Sequence, residues 1–299
     1  MPTLSVLICT YQRDRLLARC LAALTEQTTQ RPDQIVIVTA SQEQEGTVLD
    51  RCLTVAGIRL IFLKTHHVNL ATSRNAGLPH CTGDIVAMTD DDAEVSPDWV
   101  TQIKRVHLEQ PEAGAVGGPV YGADHQSRLS RIADQVTFPV LPSARAVRTL
   151  PGVNVAYKRA ALDRVGPQDE CLFRGEDTDF NWRVQQLGFS VYFDPAIRVH
   201  HWHRSSARGF WQQHYMYGRA YYRVRRKWPD MYCVYPHGLR RPKDLLKAVY
   251  FFAAVFIEPL VAIRRLSRLT DRLLAYPLLL VNQLVWRFGM IREKFGAAC

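Results

Sequence analysis

An α/β fold built on a mostly parallel sheet, with helices on both faces, is what this sequence predicts for its first part. Three observations carry the prediction. Short apolar runs alternate with amphipathic helical stretches over about 110 residues, the pattern of repeated strand–helix units. One apolar run, residues 85–88, leads through Thr89 straight into Asp90-Asp91-Asp92. The last hundred residues then change character, which sets a helical C-terminal region apart.

The elements follow in order. Residues 4–8 are short and apolar, as a buried strand is. Tyr11, Gln12, Arg13 and Asp14 form the loop after it. Residues 15–26 carry Leu16, Leu17, Cys20, Leu21 and Leu24 at helical spacing. Residues 34–38 and 58–63 read as the next two strands, 72–78 as a short helix and 84–88 as a fourth strand. Residues 97–110 follow as a helix, with Ser96 as its cap and Pro97 at its first position. Residues 113–203 are less regular: strands at 116–120, 152–157, 190–193 and 197–201, a helix at 159–165, and an amphipathic helix opened by the segment 173–180 and running through Leu187 to a stop at Gly188. Ligands of such sheets bind beyond the carboxyl ends of the strands, where the loop at 10–14 and the triple acid both fall.

The charge is divided. Residues 1–199 hold 20 Lys and Arg against 23 Asp and Glu, a net of −3, whereas residues 200–299 hold 18 against 5, a net of +13. The basic part suits an anionic membrane surface or a nucleic acid; no nucleic-acid motif supports the second. Residues 209–228 mix aromatic and basic side chains, and residues 245–263 and 273–288 are nearly apolar with basic flanks. Lys247, Glu258 and Pro259 interrupt the first of these, so helices lying in the membrane surface are expected. Seven cysteines without a CxxC pair fit a reducing compartment. No signal peptide precedes the first strand, so a cytosolic catalytic part is expected.

Three adjacent carboxylates repel one another, and a hard divalent cation would relieve this. A solvated acidic loop is the other reading. Glu176-Asp177-Thr178-Asp179 opens a helix, where acids serve as caps or dipole partners, or where one acts as general base to a hydroxyl. His200, His201 and His203 follow a strand; alternation puts His201 and His203 on one face, and a histidine can complete a shell begun by carboxylates.

Four segments together resemble one family. Residues 4–13, Ser73-Arg74-Asn75-Ala76-Gly77-Leu78, residues 88–100 and residues 175–183 are similar, in the same order, to the family 2 glycosyltransferases of the GT-A fold. The resemblance spans about residues 3–205. It implies an inverting transfer of a single sugar from a nucleotide-diphosphate sugar to a saccharide or lipid-linked acceptor, in cell-envelope polysaccharide or glycolipid assembly at the cytoplasmic membrane face. It implies Mn²⁺ or Mg²⁺ held by Asp90 and Asp92, with His201 where the family often has a metal-binding histidine, and Asp177 as the base. The implied binding positions are Thr10, Tyr11, Arg13, Arg74, Asn75, Asp91, Gly152, Asn154 and Glu176. The expected division is a GT-A domain at 1–205, split into a nucleotide-binding part (1–112) and an acceptor and base part (113–205), then a membrane-associated region at 206–299.

Two departures bear on specificity. The family usually has an acid just after the second strand; here Thr39-Ala40-Ser41 follows and the first acid is Glu43. Processive synthases carry QxxRW; Arg225-Arg226-Lys227-Trp228 lacks the glutamine, which points to single addition. The rival readings are a non-catalytic sugar-nucleotide or membrane binder, which would not need a base, and a nucleotidyltransferase, which would need glycine in the loop at 10–13.

Overall fold

The computed structural model describes residues 1–27, 29–40, 58–66, 68–138, 140–233 and 242–296. Glu43, Cys52, Arg240, Arg241 and Cys299 lie outside the described residues. Two compact units are present. The first comprises residues 1–123 and 138–202, the second residues 124–137 and 203–299.

The first unit is built on strands β1 (Leu4–Thr10), β2 (Gln34–Thr39), β3 (Arg59–Lys64) and β4 (Ile85–Asp90), with helices α1 (Asp14–Thr25) and α2 (Leu70–Gly77) between them. These four strands pair in parallel in the order β3-β2-β1-β4. β1 and β2 are buried nearly throughout, as central parallel strands covered on both faces must be. The register pairs Cys9 with Asp90 and Thr10 with Thr39, so the chain leaves β1, β2 and β4 at one edge of the sheet.

Beyond β4 the sheet becomes mixed. After β5 (Ala93–Val95) and α3 (Trp99–Glu109) come β6 (Ala113–Gly117) and β7 (Val120–Gly122). In the second unit α4 (Arg128–Ala133) follows, and the first unit resumes with β8 (Arg145–Ala146), β9 (Val155–Lys158), α5 (Arg159–Val165), α6 (Glu176–Gln186), β10 (Ser190–Phe193) and β11 (Val199–His201). The eight-stranded order is β3-β2-β1-β4-β9-β6-β10-β8. β9 lies antiparallel between β4 and β6, pairing Val155 with both Met88 and Gly117. The residues just before β9 therefore arrive at the edge where β4 ends. The expected parallel pairing thus runs through the first four strands and recurs between β6 and β10, whereas β9 and β8 are antiparallel to their neighbours. β5, β11 and β7 form a small second sheet that pairs His201 with Ala93, next to the acids.

Two apolar layers sandwich the large sheet. Leu4, Val6, Ile8, Leu21, Trp99 and Ile103 are among the residues of one, and Leu7, Val36, Met88, Tyr157 and Phe180 among those of the other. Helix α3 starts at Trp99, after Asp98, so Ser96 and Pro97 precede the helix rather than opening it.

The second unit contains α4, α7 (Ala207–Lys227), α8 (Pro242–Arg264) and α9 (Leu269–Phe295). Ile132, Ala133, Phe210, Ala262, Leu266, Ala275 and Leu279 are its main core. His203 lies 2.7 Å from Asp134, which helps hold residues 124–137 within this unit.

Candidate active site

The site grows from the end of β4. Asp90 is the last residue of that strand, and Asp91 and Asp92 turn toward β5. Thr10 Oγ1, at the end of β1, donates to Asp91 Oδ2 at 2.7 Å. Arg13 extends the link: its Nη1 donates to Asp91 Oδ1 at 3.1 Å and to Asp92 Oδ2 at 2.8 Å. One guanidinium thus bridges two of the three acids. Burial, then the neighbouring Asp92 charge, pushes the Asp91 carboxyl up to about 6, against the pull of Arg13 and Thr10.

On the other side of Asp92, the Nε2 atom of His201 lies 3.2 Å from Asp92 Oδ1. The position follows from the β5–β11 pairing, reinforced by the Trp202 N–H donating to the Asp92 carbonyl at 2.9 Å. Phe138 meets the His201 ring edge-on, with centroids 5.4 Å apart.

Asp90 points toward a second cation. Arg74 of α2 is only 3% exposed. It donates through Nη2 to Asp90 Oδ1 at 3.4 Å and through Nη1 to Glu176 Oε1 at 3.0 Å. Burial alone would lower its pKa, but the charges of Glu176 and Asp90 outweigh that and raise it. A buried charge is tolerable only when paired in this way. The Asp90 carboxyl sits in a recess with 32% of its side-chain surface still exposed. Burial raises its pKa, Asp92 and Asp177 add to the rise, and Arg74 and His201 oppose it.

Glu176 and Asp177 open α6 immediately after Gly175. Burial, then the Asp177 charge, pushes the Glu176 carboxyl up to about 7. Asp177 is half-buried; its Oδ2 accepts from the Gly152 N–H at 3.0 Å and its Oδ1 from the Thr178 N–H at 2.6 Å. Gly152 also makes room for Arg74: a Cβ there would stand 2.6 Å from Arg74 Nη2. Any side chain at 152 would push the buried guanidinium off its two carboxylates.

One connected network therefore gathers Thr10, Arg13, Arg74, Asp90, Asp91, Asp92, Gly152, Glu176, Asp177 and His201. Three other predicted positions stand apart. Tyr11 is exposed in the loop after β1. Asn75 is bound to the loop before α6: its Nδ2 donates to the Gln168 carbonyl and to Glu170 Oε1, and its Oδ1 accepts from the Gln168 N–H. Asn154 is fully buried, accepting from Trp99 Nε1 and donating to the carbonyls of Pro119 and Ile197. The geometry gives both amides a scaffolding task. Gln168 and Glu170, which latch α2 to the loop before α6, carry no local sequence signal that could have found them.

Among the described residues, no group of three or more His, Cys, Asp or Glu side chains is arranged to hold a metal ion. What Asp90, Asp92 and His201 offer is an open set of hard oxygen donors with one imidazole.

Comparison with known proteins identifies this arrangement. A sequence profile described as "Glycosyl transferase family 2" matches residues 5–166, more than half of the chain. The chain belongs to glycosyl transferase family 2. The succinoglycan biosynthesis protein ExoM of Rhizobium meliloti is 31% identical to this family 2 chain over 206 residues, covering 64% of each. The glucosyl-dolichyl phosphate glucuronosyltransferase of Haloferax volcanii is 25% identical over 215 residues, covering 66% of this chain and 68% of that one. These matches take in about two thirds of the relatives' own lengths. Among solved structures, the mannosyltransferase PcManGT of Pyrobaculum calidifontis, in complex with GDP-Man and Mn²⁺, superposes with a TM-score of 0.68 at 20% identity. That superposition covers 98% of this chain and 87% of the other, and it shows the shared GT-A fold.

Proposed function

We propose that this chain is an inverting glycosyltransferase that moves one sugar from a nucleotide-diphosphate sugar to an acceptor hydroxyl, in cell-envelope polysaccharide or glycolipid assembly. The observation that carries the reading is the network through Arg74, which joins the acids at the end of β4 to the pair opening α6. A metal-binding half and a proton-accepting half are thereby held in one frame. The names of the relatives, a succinoglycan biosynthesis protein and a glucuronosyltransferase of a lipid-linked glucose, support the envelope assignment.

The donor set fits a hard divalent ion. Two carboxylates and an imidazole leave the remaining coordination sites to water and phosphate, as is usual for Mg²⁺ or Mn²⁺ at such sites. The raised pKa of Asp90 reports burial and like charge that a cation would relieve. Asp90, Asp92 and His201 would hold it, and it would neutralise the departing diphosphate. Asp177 accepts the proton of the acceptor hydroxyl as that oxygen bonds to the anomeric carbon and the bond to the diphosphate breaks. A single displacement inverts the anomeric centre. Arg74, with Glu176, positions the base helix, and Arg13 with Thr10 orders the acidic turn. Residues 1–205 would form the catalytic domain and residues 206–299 a region associated with an anionic membrane at its cytoplasmic face. The large apolar side chains exposed on α8 and α9 support that association.

Calorimetric titration with UDP, GDP and TDP tests the site. One nucleotide is expected to bind in the presence of Mn²⁺ and to lose at least about tenfold in affinity without it, a loss that Asp92→Asn should reproduce. Equal affinity with and without Mn²⁺ would contradict the metal assignment.

A further inference from the structure

Helices α8 and α9 are both long and apolar enough to cross a membrane. What α9 packs against within its own unit argues otherwise. Near its start, buried Asp271 accepts from Arg128 and Arg131 of α4, at 3.2 and 2.7 Å. About two turns further, the Trp211 indole N–H donates to the Leu278 carbonyl at 3.1 Å. Then α7 and α9 touch backbone to backbone. A Cβ at Gly218 would stand 1.9 Å from the Trp286 carbonyl oxygen, and one at Gly289 would stand 2.2 Å from that of Tyr215. Near the end, buried Glu293 accepts from Arg219 and Arg223 at 2.9 and 2.8 Å. The contacts climb together along both helices, so α7 and α9 run parallel and side by side.

Helix α7 is strongly polar. It carries Arg208, Gln212, Gln213, His214, Arg226 and Lys227 besides the two arginines bound to Glu293. Carrying α9 through hydrocarbon would carry α7 with it, at roughly 2.5–3.5 kcal/mol for each Arg or Lys near the bilayer centre. Prising α9 away from α7 would instead leave Glu293 unpaired, and parting it from α4 would do the same to Asp271.

The face of the hairpin turned away from these contacts is apolar. On α8 it includes Val249, Phe252 and Phe256, at spacings that form one stripe, and on α9 Leu273, Leu284 and Phe295; Phe252 is 69% and Leu273 70% exposed. Arg264, Arg265, Arg268 and Arg272 are all exposed around the turn between the helices. An apolar face rimmed with arginine matches the acyl boundary of an anionic bilayer, each surface arginine adding about 1 kcal/mol.

We propose that the α8–α9 hairpin lies in the plane of an anionic membrane surface, apolar face down, with its turn on the same side as α7 and no segment crossing. The inference rests on the membrane association proposed above. Its test is a cysteine in the exposed turn, Ser267→Cys, in the full chain produced in bacterial cells. An impermeant maleimide is applied to spheroplasts and to inverted inner-membrane vesicles, and labelling of the peptide containing position 267 is read by mass spectrometry, which separates it from the native cysteines. Labelling in inverted vesicles and its loss in spheroplasts is the expected result. Labelling in spheroplasts, or from neither side, overturns the in-plane arrangement. Recovery of the protein in the soluble fraction overturns it together with the membrane association, whereas sugar transfer by the same fractions reports the catalytic reading separately.

Discussion

Replacing Asp177 with asparagine is expected to cut the rate of sugar transfer by about 10²–10⁴-fold, the usual contribution of a general base. The amide keeps the shape of the side chain and can still accept from the Gly152 N–H, so α6 stays tied to the residues before β9. It no longer takes up a proton. Donor affinity, measured by titration with the nucleotide diphosphate, should stay within about twofold, because a base acts on the acceptor. Glu176, the adjacent acid, has a different place in the same turn. It is buried against Arg74, and its contribution is to hold that guanidinium. Transfer at the normal rate by Asp177→Asn would remove Asp177 from the role of base.

Arg74→Leu is expected to have the largest effect on stability of any change in the site. The arginine is the direct counter-ion of buried Glu176 and reaches Asp90 as well. Removing one partner of a buried ion pair typically destabilises by about 3–5 kcal/mol, because the remaining charge is left in a poorly solvated site. Thermal and denaturant midpoints of the full chain should fall accordingly. The double variant Arg74→Leu with Glu176→Leu should recover part of the loss, since it leaves no unpaired carboxylate at 176. Arg74→Lys should not restore the wild-type state, because an ammonium lacks the planar fork that spans two acceptors. Wild-type stability of Arg74→Leu would show that the network is not a structural frame.

What the sequence made legible is instructive residue by residue. The four parallel strands read directly, since strands buried on both faces must be short, continuous and apolar, as Val6, Leu7 and Ile8 are. Asp90-Asp91-Asp92 stood out for the converse reason: acids do not follow a buried strand without a partner or a task. The later strands read as strands, at 116–120, 152–157, 190–193 and 197–201, but their pairing did not. β9 is only four residues long, and its place between β4 and β6 depends on contacts remote in sequence. Asn154 illustrates the limit. As a residue near a motif it reads as a binding group; in the fold its amide satisfies two carbonyls and an indole, 35 to 55 residues away. The Arg74–Glu176 pair spans 102 residues, and no local pattern announces it. Helix α4 was missed for the same reason: only its long-range bonds to Asp271, 140 and 143 residues onward, reveal its place in the second unit. In the apolar helices, hydropathy marked the segments, but the pairing of Glu293 with Arg219 and Arg223 gives the reason to lay them flat.

The most direct test of the central claim is release of nucleotide diphosphate by the purified full chain. UDP-, GDP- and TDP-sugars are each supplied with Mn²⁺ and a lipid-linked saccharide extract, and the anomeric configuration of the product is read by NMR. One nucleotide class is expected to support transfer, with inversion at the anomeric carbon and loss of the signal in Asp177→Asn. Transfer with retention, or no release from any donor by folded protein, would contradict that claim.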